Sequence, residues 1–236
     1  MWRKMRAEMQ GMKQLVLELA SPPSPSLDNF VVGGNAEVIA ALRALAQGNN
    51  RERFIYLWGG NGSGRTHLLR AVLQALREAG RSVRWCTEGE GLDAVPGSEV
   101  VGVDDAQRLN PAAQIKLFNI FNNLKDGTGV LIVTGDVPPA RLSLREDLLT
   151  RLAWGLVYEV HALSEADRRA AVLDYAVARG FELPSAVADY LLVHAPRDLH
   201  TLRTLVDGLD RLSLARKRAI TVPLTRELLQ AAQPQQ

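Results

Sequence analysis

The stretch GGNGSGRT at residues 59–66 leaves this chain few folds to choose from. It follows a short apolar run, FIYLWG (54–59), and opens RTHLLRAVLQALREAG (65–80), where Leu68, Leu69, Val72, Leu73 and Leu76 recur at helical spacing. The run reads as a buried strand and the spacing as an amphipathic helix closed by Gly80. A glycine-rich turn between two such elements lets main-chain N–H groups converge on an anion, and the helix dipole adds to the attraction. The spacing matches GxxxxGK followed by Ser or Thr. Gly59 and Gly64 are in place, Gly60, Asn61, Gly62 and Ser63 lie between them, and Arg65, Thr66 and His67 come next. Thr66 is the candidate hydroxyl for Mg²⁺, and Arg65 is the cation expected to reach the β- and γ-phosphates of a nucleotide. An arginine keeps the charge of the usual lysine but is planar, bulkier and forked. Nucleotide binding is therefore expected to survive the exchange, and γ-phosphate alignment to suffer.

The alternation continues. SVRWCT (82–87), EVVGVDD (99–105) and GVLIVTGD (129–136) read as strands, and PAAQIKLFNIFNNLKDG (111–127) as an amphipathic helix. Short apolar strands interleaved with helices predict a parallel sheet covered on both faces. In VVGVDDAQ, Asp104 and Asp105 fall at a strand's carboxyl end, where an α/β fold places metal and attacking water. Asp104 is the candidate metal carboxylate and Asp105 the candidate water activator, with a helix-capping pair as the plainer alternative. LIVTGD ends a further strand on Thr134 and Asp136, which serve either to orient water or the γ-phosphate, or simply to make a turn.

After about residue 160 the strands stop. SEADRRAAVLDYAVARG (164–180) opens with Ser164 and has Asp167 three residues on, an approximate capping box. PSAVADYLLVHA (184–195), PRDLHTLRTLVDGLDRLSLAR (196–216) and LTRELLQAA complete a second, helical domain. Two arginines stand out. Arg151, in DLLTRLAWGL (147–156), is expected off the packed face formed by Leu148, Leu149, Leu152 and Leu156. It is either a helix-terminal cation or an arginine aimed at a neighbour's γ-phosphate. Arg197, just after Pro196, is either a surface residue or a guanidinium closing over this chain's own phosphates.

Bulk composition excludes more than it assigns. Net charge is +2 with both signs interspersed, so strong direct DNA binding has little support. The one cysteine, Cys86, sits in an apolar run and fits a packed thiol in a cytoplasmic protein. No run approaches a membrane span. At the N-terminus, residues 1–11 differ in character from the rest of the chain, and Met12 is a candidate start. Residues 20–26, ASPPSPS, read as a semi-rigid linker. Before it, QLVLEL (14–19) reads as an edge strand or as a peptide that docks into another protein's pocket.

In order, GGNGSGRT, VVGVDDAQ, LIVTGD, TRLAWGL and APRDLHTLRTLVDGLDRL resemble the AAA+ domain of the DnaA family of bacterial replication initiators. DNFVVGGNAEVIAAL resembles the segment that opens that domain, which would set Val31 and Val32 beside the adenine. The match is closer to short family members that inactivate the initiator. Their phosphate loop carries a similar arginine, TGDVPP resembles their sensor strand, QLVLEL resembles their clamp-binding motif, and the chain ends soon after the helical segment, without room for a DNA-binding domain. Glu18 departs from the small residue or proline usual near the end of that motif.

The resemblance implies an α/β AAA+ P-loop domain, with a parallel sheet between helices, plus a small all-α lid. The implied divisions are a tail (1–26), the nucleotide-binding domain (27–160) and the lid (161–236). It further implies ADP or ATP with Mg²⁺ as cofactors, and a weak ATPase or none. Gln14, Leu15, Leu17 and Leu19 would dock on the sliding clamp, the beta subunit of DNA polymerase III. Arg151 would complete the active site of ATP-bound DnaA in trans, and Arg197 would contact this chain's own nucleotide. A self-sufficient ATPase, a helicase-loading adaptor and pairing of two copies of the chain stay open.

Overall fold

The computed structural model describes residues 24–232, apart from 50, 88, 94, 95, 98 and 197. The QLVLEL tail motif, with Gln14, Leu15, Leu17 and Leu19, therefore lies outside the described residues, as does Arg197. Ser24–Ala162 forms one compact unit, and the chain from Leu163 belongs to a second.

The first unit is built on five parallel strands: β1 (Phe54–Trp58), β2 (Val83–Thr87), β3 (Val100–Asp104), β4 (Val130–Gly135) and β5 (Leu156–Glu159). Their order across the sheet is β2-β3-β4-β1-β5. Period-two alternation sorts their side chains into two cores. Phe54, Tyr56, Val101, Val103, Leu131 and Val133 face one way, against α3 (Pro111–Asp126) and α4 (Glu146–Leu152). Ile55, Leu57, Val100, Val130 and Ile132 face the other, against α1 (Ala36–Ala46) and α2 (Arg65–Glu78). With both faces covered, the strands need no polar side, which is why they read as continuous apolar runs.

Local signals end the elements where the chain needs to turn. Gly80 follows the last turn of α2 with φ +82, a conformation that a side chain would strain. Asn110 caps α3, its side chain accepting from Ala113 N at 2.9 Å, and Pro111 opens the helix. Arg53 closes the other end of α3, donating to the carbonyls of Leu124 and Gly129.

Two expectations need correction. The helix expected over 147–156 is only Glu146–Leu152, and Leu156 opens β5 instead of lining that helix. The helix closes at Ala153, and Gly155 then passes so near β1 that a Cβ there would lie 2.0 Å from the Phe54 carbonyl oxygen. Strand β5 was hidden because it is a short edge strand whose exposure alternates, so it lacks the apolar run of its neighbours. Cys86 is buried in the core, and burial pushes its thiol up to about 11.

The second unit is helical: α5 (Glu165–Ala178), α6 (Ser185–His194), α7 (Leu199–Arg216) and α8 (Val222–Ala232). Ser164 caps α5, accepting from Asp167 N at 3.0 Å and donating to Asp167 Oδ2 at 2.7 Å. Asp198 caps α7 through Thr201 N. Val172, Val187, Leu191, Leu202, Val206 and Leu209 fill the centre. One carboxylate is buried there: Asp207 accepts from the Tyr175 hydroxyl at 2.9 Å and contacts Arg179 Nε at 3.1 Å.

Leu117 is fully buried between α3 and the sheet. Leu117→Ala removes apolar contacts and leaves a cavity, so it should destabilise the sheet-containing unit by about 2–5 kcal/mol. Urea denaturation against the parent chain measures this.

Candidate functional site

In a parallel sheet every strand delivers its successor loop to the same edge, and the change in winding direction opens a crevice there. Here β1 lies between β4 and β5, so the loop after β1 emerges beside the end of β4. The loop's shape depends on glycine at defined points. Gly62 (φ +77) and Gly64 (φ +98) occupy the left-handed region. At Gly59 a Cβ would stand 2.3 Å from the Val160 carbonyl oxygen, so the loop can leave the sheet there only without a side chain. Leu68 N bonds to Gly64 O at 2.9 Å, which leaves the amides of Arg65, Thr66 and His67 ahead of the first intrahelical bond of α2.

Two buried polar atoms in this loop have no hydrogen-bond partner, Ser63 Oγ and Arg65 Nη1. Buried polar groups are normally satisfied, so each marks a position made for an acceptor. A phosphate supplies such acceptors, and the loop, the helix terminus and the arginine charge suit one. The residues therefore fit a nucleotide.

Behind the loop stands a hydrogen-bonded carboxylate cluster. Val103 pairs with Val133, so Asp104 and Thr134 come next, side by side, on β3 and β4. Thr134 Oγ1 donates to Asp104 Oδ1 at 2.6 Å and accepts from Asp105 N at 2.9 Å. Thr66 Oγ1 donates to the same Asp104 oxygen at 3.2 Å. Thr66 and Asp104 thus meet as a hydroxyl and a carboxylate, a donor set suited to Mg²⁺ through oxygen or water. Thr134, a candidate to orient water or the γ-phosphate, is fully buried and bonds to both aspartates.

Asp105 is held from several sides. It takes a left-handed backbone, φ 53, and accepts from Gln107 Nε2 at 3.0 Å. Arg65 Nη2 and Arg108 Nε each lie 3.8 Å from its carboxylate oxygens. The phosphate-loop arginine and the candidate water-activating carboxylate therefore face each other. Asp136 is exposed; its charge acts on the buried Tyr56 phenol, whose pKa is raised by burial first and by Asp136 second.

The segment expected to border the adenine is fastened beside the loop. Phe30 packs over Gly64, where an added Cβ would meet its ring at 2.7 Å, and lies 5.5 Å from the His67 ring. The His67 side chain reaches Ser26 O at 3.0 Å, so it anchors this segment. Val31 is half-buried and Val32 exposed. Asn35 bonds to both the backbone N and O of His161, at 2.8 and 2.9 Å, locking the chain after β5 against the start of α1. Phe30 and Asn35 lie within DNFVVGGNAEVIAAL, but nothing in that stretch singles them out, because their partners are distant in the chain.

Arg151 is elsewhere. It lies in the last turn of α4, and its side-chain contacts are on α3: Nε donates to Asn122 Oδ1 at 3.3 Å, and the guanidinium carbon lies 5.4 Å from the Phe118 ring centre and 5.8 Å from that of Phe121. Among the described residues no carboxylate is within ion-pair distance of it.

Comparison with known proteins places this architecture. Residues 165–229 match the family model described as Hda, lid domain. Domain III of the Thermotoga maritima replication initiation protein DnaA superposes with a TM-score of 0.73 at 24% identity, covering 89% of this chain and 98% of that one. AMPPCP-bound DnaA from Aquifex aeolicus gives 0.68 at 23%, over 84% and 71% of the two chains. A point mutant of Thermotoga maritima RuvB gives 0.66 at 16%, over 89% and 73%. The chain has the fold of DnaA domain III, and residues 165–229 are similar to the Hda lid domain. The expected fold class, an α/β AAA+ unit with a helical lid, is therefore found. No helix among the described residues is long and apolar enough to cross a membrane.

Thr134→Val keeps the shape of the side chain but strips a donor from Asp104 and an acceptor from Asp105 N. Buried groups left in this way cost about 1–3 kcal/mol, so thermal unfolding should shift down clearly. Asp136→Ala, at an exposed position, should change stability by less than about 0.5 kcal/mol.

Proposed function

We propose that this protein is an ADP-bound regulator of replication initiation that stimulates hydrolysis of the ATP held by DnaA. The observation that carries the reading is the contact between Arg65 and Asp105. A hydrolytic site needs a carboxylate free to polarise water and a cation free to align the γ-phosphate. Here each is engaged with the other, while Arg65 Nη1 and Ser63 Oγ keep their capacity for phosphate oxygens. This supports a site that binds nucleotide well and turns it over poorly. When bound, nucleotide with Mg²⁺ would supply the polyanion this loop suits, received by Gly59, Gly60, Asn61, Gly62, Gly64, Ser63, Arg65 and Thr66, with Asp104 behind the metal.

The chemistry would then fall on a partner. Arg151 carries a charge that no described carboxylate neutralises, as an arginine supplied in trans requires. It would stabilise charge developing on the γ-phosphate of DnaA-bound ATP, a contribution on the order of 10³–10⁵ in rate in related phosphoryl transfers. The nucleotide in the aligned Aquifex aeolicus DnaA structure, the DnaA-type fold and the Hda lid support this pairing. Docking on the DNA-loaded sliding clamp through Gln14, Leu15, Leu17 and Leu19 completes the proposal, as does a contact from Arg197 to this chain's own nucleotide.

ADP should stabilise the fold, by about 2.7 kcal/mol at a hundredfold excess over its dissociation constant. A melting temperature indifferent to ADP would remove the nucleotide from the proposal. In an assay of DnaA-bound ATP with DNA-loaded clamp, Arg151→Ala should fold and bind ADP yet fail to stimulate. Replacing Leu17 and Leu19 together by Ala should abolish clamp binding and leave ADP binding intact. Vigorous ATP turnover by the isolated wild type would favour a self-sufficient ATPase instead. Binding to a replicative helicase, with none to the clamp, would favour an adaptor.

A further inference from the structure

Asp105 is the first residue past β3, and its carboxylate is held mainly from its own turn. Asp105 and Lys217 are the non-glycine residues with a positive φ among the described residues. Aspartate is one of the few side chains that tolerate this backbone, and the conformation persists only where its surroundings fix it. Thr134 takes the Asp105 amide, and Arg108 N bonds back to Asp105 O at 2.9 Å, within the 3-10 turn Ala106–Arg108, whose first residue is fully buried. From that turn Gln107 Nε2 donates to Asp105 Oδ1 at 3.0 Å, and Arg108 Nε stands 3.8 Å from Oδ2. Arg65 Nη2 lies 3.8 Å from Oδ1.

Of these three contacts only the first is a hydrogen bond. At 3.8 Å the two guanidinium groups supply charge without direction, whereas the Gln107 amide supplies direction. Among the described residues the Gln107 side chain makes no other hydrogen bond, and its Oε1 is buried without a partner. A glutamine that served only to staple a turn would fill both ends of its amide, because an empty buried acceptor costs stability. Here the one bond goes to the carboxylate oxygen that also faces the phosphate-loop arginine. The position of that carboxylate is therefore set by its own turn, and Arg65 meets it there.

We propose that Gln107, assisted by Arg108, is a positioning residue that holds the Asp105 carboxylate in its contact with Arg65, and that this hold restrains both the reach of Arg65 toward a terminal phosphate and this chain's own turnover of a nucleoside triphosphate. The inference rests on the reading of the loop as a nucleotide site. It places the control of that site in the turn after β3, outside the phosphate loop.

The test compares wild type with Gln107→Met, Arg108→Met, Asp105→Asn and the double variant Gln107→Met with Asp105→Asn. Methionine keeps the length of glutamine and removes its hydrogen bonds. Two quantities are read with Mg²⁺ present: the ratio of the dissociation constants for AMPPCP, a triphosphate analogue that is not hydrolysed, and ADP; and the single-turnover rate of ATP hydrolysis by the isolated chain. Gln107→Met should leave ADP affinity within about twofold, lower the AMPPCP-to-ADP ratio by on the order of fivefold and raise the rate by on the order of tenfold, as expected when a bond to a charged group is removed. Asp105→Asn frees Arg65 but loses the carboxylate, so the ratio should fall without a rise in rate. The double variant should match Asp105→Asn. Arg108→Met, at an exposed position, should shift the ratio the same way by about twofold, and it carries the test if Gln107→Met does not fold. A ratio and a rate equal to wild type in folded Gln107→Met overturn the positioning role and leave the nucleotide site standing. So does a lower melting temperature with no change in ratio, the mark of a merely structural glutamine. An effect of Gln107→Met that persists in the Asp105→Asn background overturns it as well. If wild type binds neither ADP nor AMPPCP, the nucleotide reading falls, and this inference with it.

Discussion

The hydrogen bond from Thr134 to Asp104, at 2.6 Å, lies where three parts of the sheet unit meet. It joins β3 to β4 at their carboxyl ends, and the same Asp104 oxygen accepts from Thr66 at the start of α2. The parallel register makes the meeting possible, since it brings Asp104 and Thr134 level on adjacent strands. Thr134 also takes the amide of Asp105 and so sets the turn that leaves β3. Loop, strand ends and carboxylates are thereby one connected network. In a buried setting such a network is rigid when fully satisfied and costly when one member is lost.

Arginine in place of lysine at position 65 has its consequence within this network. An ammonium on a flexible stem makes a point contact, whereas a guanidinium has donors enough to meet two partners at once. Arg65 Nη2 faces Asp105 while Nη1 is left with an unfilled donor position. One end of the guanidinium therefore faces a carboxylate while the other keeps a donor for a further acceptor. Glycine plays the complementary part: Gly59 lets the loop pass the Val160 carbonyl, and Gly64 lets Phe30 close over the loop's end.

Arg65 and Arg151 show what surroundings do to one side-chain type. Arg65 is buried and faces a carboxylate. Arg151 is half-buried, rests on Phe118 and Phe121, and bonds to an amide. The first arrangement holds charge inside the site. The second keeps charge uncompensated near the surface, which suits an arginine whose target belongs to another molecule.

Much of this was legible in the sequence, because it depends on local rules. The apolar runs before GGNGSGRT and through VVGVDD and LIVTGD become strands because a sheet covered on both faces tolerates no polar alternation. Ser164 and Gly80 mark helix ends because a cap acts on neighbouring residues in the chain. The motif order also sufficed to expect an AAA+ unit and a helical lid. Tertiary structure alone decided what depends on partners distant in sequence. It made Thr134 the buried link between two aspartates, and it set His67 against Ser26. It drew Leu156 into an edge strand beside β1. It also set Arg65 against Asp105, and Arg151 against Asn122 and Phe118. A residue's type and spacing determine which element it joins. Its direction and charge balance are settled by packing against residues far along the chain, as Asn35 and His161 are from each other.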